Sequence, residues 1–272
     1  MHNCNKPNTS EIKPFELAII ARGTARLTIP ELAAMRKQPP ACFSPKLSPL
    51  FLKHSDEQTL ASLMALYRAT ADFGLEGEDF GPWAVVSISR FLGRGAFAAM
   101  RDKYTVDGAW GVSVQLIPHR TSHSVAGTIS LGLGMHGPCV GVNGGTDGEN
   151  SGLLALPCLM RQRQWRGVWL VSSNWSPELT VDPKGQSSSD SVCLATALAL
   201  AEADHPNPLG HIRFAAVDRA GRDSSVERTS AAPETSLLEY ILDDSDHRPW
   251  RRCPGNGLRI EVDLTVPAGV SS

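Results

Sequence analysis

The sequence lacks any uninterrupted apolar run approaching ~18 residues, so it predicts no membrane-spanning helix. Its first ten residues are polar and contain no apolar signal core, which favours a soluble protein of the cytoplasm. It also lacks a basic excess, since 26 Lys and Arg stand against 28 Asp and Glu and the net charge is −2. This balance argues against a dedicated nucleic-acid-binding protein. Because 42% of the 272 residues are hydrophobic, disorder is excluded as a description of the whole chain.

Closely spaced cysteines are lacking as well. No C-x-x-C pair occurs among the six cysteines, so they are expected to be reduced thiols. They are Cys4, Cys42, Cys139, Cys158, Cys193 and Cys253. His119 and His123 are four residues apart, with His136 further along, but a metal site needs a third ligand in suitable geometry and no carboxylate partner is evident. We therefore expect neither a metal nor a cofactor.

The segments that are present alternate between strand-like and helix-like patterns, which predicts an α/β fold. The predicted strands are Phe15–Ala21, Trp83–Ser89, Pro138–Asn143, Gly167–Ser173, His211–Val217 and Leu258–Val266. The predicted helices are Ser55–Gly74, Gly95–Lys103, Ser122–Leu133, Gly152–Gln164, Ser191–Ala203 and Leu237–Leu242. Residues 15–266 are expected to form a single domain between tails at 1–14 and 267–272.

Local signals refine several of these elements. Ser55 is the predicted N-cap of the clearest helix, and Gln58 is expected to complete a capping box with it. Pro157 is expected to kink the helix in which it lies or to shift its start. Surface loops are predicted from Pro39 onward, at 183–191 and at 218–236.

Two glycine-rich segments flank the predicted strand Pro138–Asn143. Gly132–Gly137 matches G-x-G-x-x-G, but here a helix precedes and a strand follows, the reverse of a dinucleotide-binding site. It is therefore interpreted as a turn. Asn143–Gly148 lies between a strand and a helix, where a cysteine can acquire a low pKa or an anion can bind. The same pattern also fits a plain tight turn before a capped helix.

Residues 117–148 resemble the β-ketoacyl synthase family. Gly134-Met-His-Gly-Pro138 matches the family's turn before the strand that leads to the nucleophile, and Gly148 matches the final glycine of its T-A-C-x-[ST]-G elbow. The resemblance covers roughly residues 110–178, is compatible in order from 15 to 110, and is little visible beyond about 218. It implies an α/β, thiolase-like layered fold with helices packed on a mixed β-sheet. The chain is short for both halves of that fold, so mainly the N-terminal half of the ketosynthase architecture is expected.

The departures from the family concern its catalytic residues. Aligning the two elbows places Gly145 at the nucleophilic cysteine, and glycine has no side chain to form a thioester. The family's H-G-T-x-T motif, and its histidine before F-G-F-G-G, do not occur. Cys139 and Cys158 lie near the elbow but are interpreted as core thiols. The elbow and acyl-pocket candidates are Asn143, Gly144, Gly145, Thr146, Asp147 and Gly148.

The resemblance implies a catalytically silent subunit of the chain-length-factor type, which pairs with an active ketosynthase and, through it, meets an acyl carrier protein. Fatty-acid or polyketide and polyene biosynthesis is the expected setting. In such pairs the strand before the elbow lies at the dimer interface, so the interface candidates are Pro138, Cys139, Val140, Gly141 and Val142.

Two alternatives remain open. A small thiolase-fold acyltransferase or thioesterase would need a relocated nucleophile and base near Gly145. A stand-alone acyl-binding protein would need an apolar tunnel that ends there. A serine hydrolase is disfavoured because no G-x-S-x-G elbow is present.

Overall fold

The computed structural model describes residues 14–161, 164–178, 190–216, 236–243, 248–255 and 258–264. Its strands are β1 (Phe15–Thr28), β2 (Trp83–Arg90), β3 (Cys139–Gly144), β4 (Gly167–Ser176), β5 (Val192–Glu202), β6 (Gly210–Ala216), β7 (Trp250–Gly255) and β8 (Leu258–Leu264). Its helices are α1 (Ile29–Lys37), α2 (Pro49–Leu52), α3 (Glu57–Asp72), α4 (Arg94–Asp107), α5 (His123–Leu133), α6 (Thr146–Met160) and α7 (Leu237–Leu242). Gly108–Gly111 and Val114–His119 are short 3-10 helices.

The strands form one mixed sheet in the order β3-β2-β4-β5-β1-β6-β8-β7. Strand β2 is parallel to β3 and β4, whereas the other neighbouring pairs are antiparallel. Alternate residues of a strand point to opposite faces. In β4, Trp169 and Val171 therefore pack on the side of α3 and α5, whereas Val168 and Leu170 pack on the side of α6 and α7. The mixed sheet thus lies between two helical layers, which confirms the predicted fold class.

Helix α3 packs unusually close to the middle of this sheet. An ideal Cβ on Gly23 of β1 would lie 2.1 Å from the backbone oxygen of Ala65 in α3, so only glycine fits there. Gly23 is paired with Ala197 of β5, and Ala195 and Ala199 belong to the same buried cluster. Small side chains on both strands therefore create the space that the helix fills.

The prediction of a helix at Ser191–Ala203 is wrong, because this segment forms strand β5. Its leucines and alanines alternate with a period of two: Leu198 and Leu200 pack toward α6 and α7, and Ala197 and Ala199 toward α3. Helix propensity of alanine and leucine is a weak preference, and pairing with β1 and β4 on both sides overrides it.

The start of α3 also differs from the prediction. Asp56 is the N-cap and accepts a hydrogen bond from the Gln58 amide at 2.9 Å, so Ser55 does not have this role. The Gln58 side chain is fully buried and donates to the Arg90 carbonyl at 2.8 Å instead of closing a capping box. A buried amide needs a partner in the interior, and this requirement decides its orientation.

Other element boundaries shift. Helix α6 begins at Thr146, well before Gly152, and ends at Met160 with Pro157 inside it, so the predicted turn at Gly144–Gly148 is mostly helix. Strand β1 continues to Thr28. The sequence interpretation missed β7, α1 and α2, the last of which lies in the segment after Pro39 that was predicted as a surface loop and buries Leu52. Thr28 and Glu31 form a capping box that signals the start of α1.

The remaining predicted elements are confirmed with small shifts: β2, α4, α5, β3, β4, β6, α7 and β8. Helix α5 precedes β3, as the interpretation of Gly132–Gly137 as a helix-to-strand turn requires. Most of the predicted loops at 183–191 and 218–236 lies outside the described residues, as do residues 1–13 and 265–272. The domain boundaries therefore stay a prediction.

The close approach of α3 can be tested with Gly23→Ala. The added Cβ would overlap the α3 backbone, so we expect a loss of about 1–3 kcal/mol in the free energy of unfolding, measured by urea denaturation. Gly77→Ala is the matched control, because a Cβ there meets nothing within 4 Å, and should change stability by less than about 0.5 kcal/mol. Equal effects of both changes would contradict the packing described here.

Candidate functional site

The carboxyl ends of β2, β3 and β4 meet at the start of α6. Gly144 ends β3, and Gly145 follows as the N-cap of α6 with φ −78° and ψ −145°. This is the strand–elbow–helix arrangement that the family resemblance implies. A Cβ built on Gly145 would meet only the Phe91 Cζ atom, at 3.7 Å. This contact is ordinary, so a Cβ has room at Gly145, but ψ −145° lies outside the β and α ranges that residues with a side chain normally occupy.

A pocket of about 100 Å³ lies at this elbow. Its floor comes from the ends of β2 and β4, including Ser89, Arg90 and Ser172. One wall is the first turn of α6, and the opposite side is formed by α7 and β7. Elements that follow residue 218 therefore cover the pocket, although the family resemblance is hardly visible there.

A buried hydrogen-bond chain connects the pocket floor to α3. Ser89 and Ser173 share a hydrogen bond between their hydroxyl oxygens at 3.1 Å. The Ser173 hydroxyl donates to Gln58 Oε1 at 3.0 Å, and Gln58 Nε2 donates to the Arg90 carbonyl. These bonds fix β2 and β4 relative to each other where their carboxyl ends form the pocket.

An ion pair between Glu149 and Arg252 connects α6 to β7, one of the two elements that cover the pocket. The two side chains are only 10% and 7% exposed, and Arg252 Nη1 donates to Glu149 Oε2. Glu149 Oε1 also accepts from the Leu237 amide of α7 at 2.7 Å. Burial raises the pKa of Glu149, and the adjacent Arg252 guanidinium opposes this rise. Three distant segments of the chain are therefore joined at one carboxylate.

A strained turn forms the outer rim of the elbow. Phe91, directly after β2, has φ 52°, a left-handed conformation that is rare for residues other than glycine. Arg90 and Arg94 place their guanidinium carbons 5.5 and 5.2 Å from the centre of its ring. The Leu92 amide donates to Asn143 Oδ1 at 3.1 Å. Asn143, the position of the family's threonine, thus holds this turn against the end of β3.

The structure brings together the predicted elbow residues. Asn143, Gly144, Gly145 and Gly148 surround the start of α6, and Thr146 and Asp147 form the first turn of that helix. The predicted interface residues Pro138–Val142 lie at or along β3, which is the edge strand of the sheet.

The neighbouring cysteines and histidines lie elsewhere. Cys139 packs with the core on the α5 side of the sheet, away from the pocket. Cys158, expected in the core, is exposed, because Leu153, Leu156 and Met160 turn the opposite face of α6 inward. His119 lies beside His54, with ring centres 6.0 Å apart. Within the described ranges, no three His, Cys, Asp or Glu residues are placed to hold a metal ion.

The sequence interpretation missed Gln58, Glu149, Ser172 and Arg252 as site residues. Glu149 and Arg252 are 103 positions apart, and no local pattern connects them. Gln58 was identified only as a capping residue. Only the buried environment of these side chains, which the tertiary fold creates, marks them as parts of the site.

Comparison with known proteins identifies solved structures with a similar fold. No family model and no curated protein matches the chain. Among solved structures, the ketosynthase ApeO in complex with its chain length factor ApeC from Xenorhabdus doucetiae matches with a TM-score of 0.53 at 12% identity. That match covers 92% of this chain and 99% of the other, so the two chains are nearly equal in length.

Two further matches are of the same kind. The AntDE:AntF complex, a type II polyketide synthase acyl carrier protein with its ketosynthase, has a TM-score of 0.50 at 12% identity, over 75% of this chain and 69% of the other. The ishigamide ketosynthase/chain length factor has a TM-score of 0.48 at 16% identity, over 74% and 67%. The matches with TM-scores of 0.53 and 0.50 show that the chain has the thiolase-like fold of ketosynthases, as the family resemblance implies. No helix in the described segments is long and apolar enough to cross a membrane.

The Glu149–Arg252 pair can be tested with a double-mutant cycle. Glu149→Leu or Arg252→Met alone breaks the buried ion pair between the two side chains, so each should lower the free energy of unfolding by about 3–5 kcal/mol. The double variant removes both charges and should be more stable than the less stable single variant. Chemical denaturation of all four proteins gives the coupling energy. If the two losses of unfolding free energy are strictly additive, Glu149 and Arg252 do not stabilise each other and do not hold α7 and β7 against α6.

Proposed function

We propose that this chain is a catalytically silent, ketosynthase-like subunit of the chain-length-factor type, which pairs with an active ketosynthase. One observation carries the proposal. The chain keeps the ketosynthase fold and its strand–elbow–helix arrangement, but Gly145 lies where the resemblance expects the nucleophilic cysteine. Without a side chain at that position, no acyl thioester forms there.

The space around Gly145 gives no steric reason for its glycine. A Cβ at this N-cap would make only one ordinary contact, although ψ −145° lies outside the usual β and α ranges and a side chain there would require a backbone adjustment. Gly23 and Gly141 differ, because a Cβ on either would lie about 2 Å from backbone atoms. Close packing therefore requires glycine at those two positions and does not require it at Gly145.

The pocket gives less support to the alternatives. Relocated acyl-transfer chemistry needs a nucleophile and a base in reach of each other, but the described residues that line the pocket include no cysteine or histidine. A stand-alone acyl-binding protein needs a long apolar tunnel. A volume of about 100 Å³ corresponds to the liquid volume of about three water molecules, and several lining residues are polar.

The position of β3 at the edge of the sheet, as the described residues form it, supports pairing with another subunit. The Val85 amide of β2 donates to the Pro138 carbonyl, and alternate residues of a parallel strand bond to the same neighbour. The backbone groups of Cys139 and Gly141 therefore face away from β2, toward the open edge of the sheet. Such an edge is a template for another strand. In the structural neighbours, a ketosynthase is in complex with a chain length factor or with an acyl carrier protein. For this chain we propose both partners, the carrier protein through the ketosynthase.

Co-expression with a complete ketosynthase of the same organism, followed by size-exclusion chromatography, tests the pairing. We expect the two chains to co-elute. Cys139→Pro removes an amide from the open edge and should abolish co-elution, whereas Cys139→Ser keeps the amide and should not. Circular dichroism must show that both variants fold. A chain that elutes alone, with no effect on product length, would refute the partner role.

The elbow alignment can be tested with Gly145→Cys. A thiol at the N-terminus of α6 should have a lowered pKa and should react with an acyl-thioester mimic, which mass spectrometry detects as an adduct on that residue. Gly144→Cys is the matched control, because a Cβ there also has room, with its nearest atom 3.9 Å away. An inert thiol at Gly145, or equal labelling at both positions, would count against the alignment.

A further inference from the structure

We propose that the elbow pocket is a binding site for a small carboxylate of about the size of acetate. This site lies within the isolated chain and does not depend on the proposed pairing with a ketosynthase. The proposal rests on an unused hydrogen-bond donor inside the pocket, on the open end of α6 and on the balance of charge and apolar surface around them.

The first observation is the Ser172 hydroxyl. The alternation of β4 places Ser172 on the α6 side of the sheet, where it lines the pocket and is only 7% exposed. The adjacent serines, Ser89 and Ser173, are hydrogen-bonded to each other and, through Ser173, to Gln58. Ser172 has no hydrogen-bond partner in the described part of the chain. A polar group buried to this degree normally has a partner, so a ligand is expected to supply it.

The second observation is the start of α6, which faces the same space. Its N-cap, Gly145, has no side chain to accept hydrogen bonds from the first turn. Gly145 and Gly148 both line the pocket. The Gly148 amide already donates to the Gly145 carbonyl at 3.1 Å, so it is not a free donor. The amides that precede it in the first turn and the partial positive charge of the helix N-terminus favour a negatively charged oxygen. Ser172 and this helix end therefore offer donors to a single acceptor group.

The charges around the pocket select a small ligand with one negative charge. Arg90, Arg252, Glu149 and Glu239 all line it, so their formal charges cancel. All four are already engaged: Glu149 with Arg252 and the Leu237 amide, Glu239 with the backbone amide of the α7 N-cap, and Arg90 with Glu178 at 3.0 Å. The presence of the two carboxylates disfavours a dianion such as phosphate, because like charges repel.

The apolar part of the lining fits a methyl group. Ile88 and Leu238, which are 6% and 1% exposed, border the pocket beside its polar groups. A volume of about 100 Å³ holds a carboxylate with one or two carbons attached but excludes a long acyl chain. A short carboxylate presents oxygens to Ser172 and α6 and carbon to these two side chains.

Titration of the ¹⁵N-labelled full chain with sodium acetate, against sodium chloride at equal ionic strength, tests this site by NMR. We expect saturable shifts at the amides of Gly145, Gly148 and Ser172. Ser172→Ala should weaken acetate binding about tenfold, since it removes a hydrogen bond to a charged group. Ser87→Ala is the matched control: that hydroxyl is also buried and unpartnered but does not line the pocket, so affinity should not change.

If Ser172→Ala does not fold, Ser172→Cys keeps a side chain of similar size with a much weaker donor and should show the same loss. The proposal is overturned if wild-type shifts do not saturate, if both Ser172 variants bind acetate as wild type does, or if chloride or phosphate produces equal shifts. Because this titration uses the chain alone, its failure leaves the ketosynthase pairing to be decided by co-elution.

Discussion

The close contact between α3 and the sheet is the constraint on which the rest of the structure depends. Gly23 and the alanines of β5 remove side-chain volume from the sheet, so the helix backbone reaches positions that any larger residue would occupy. At that depth the first turn of α3 is buried, and Gln58 must find partners in the interior. It finds them in Arg90 and Ser173, at the ends of two parallel strands. The packing of small residues thereby positions the elbow.

The elbow region combines the strand–elbow–helix arrangement with a pocket that has no cysteine or histidine among its described lining residues. Gly145 places no side chain at the N-cap of the elbow helix, and the Glu149–Arg252 pair holds α7 and β7 over it. What remains is a small pocket whose lining combines apolar side chains with the Ser172 hydroxyl. Such a pocket suits recognition of a small ligand, while the position of β3 at the edge of the described sheet suits assembly.

Sequence reasoning predicted the strand–elbow–helix segment better than the secondary structure in other parts of the chain. The turn Gly134–Pro138 leads into β3, and Gly145 lies between β3 and α6, because the signals that mark these elements are local. That these residues form a functional site stays a prediction. The helix predicted at Ser191–Ala203 is a strand, because composition outweighed the two-residue alternation that marks a buried strand. Ser55 was expected to cap α3, but the choice between Ser55 and Asp56 depended on which backbone amide each side chain reaches.

The sequence by itself determined the α/β class, the ketosynthase resemblance and the presence of glycine at position 145 of the elbow, because each is carried by a short segment whose residues interact locally. Only the tertiary structure decided that Arg252 pairs with Glu149, that Gln58 joins α3 to two strands, and that Ser172 lines the elbow pocket. These contacts join residues about a hundred positions apart and depend on burial. Burial is a property of the assembled layers, because it arises only when the helices pack on both faces of the sheet.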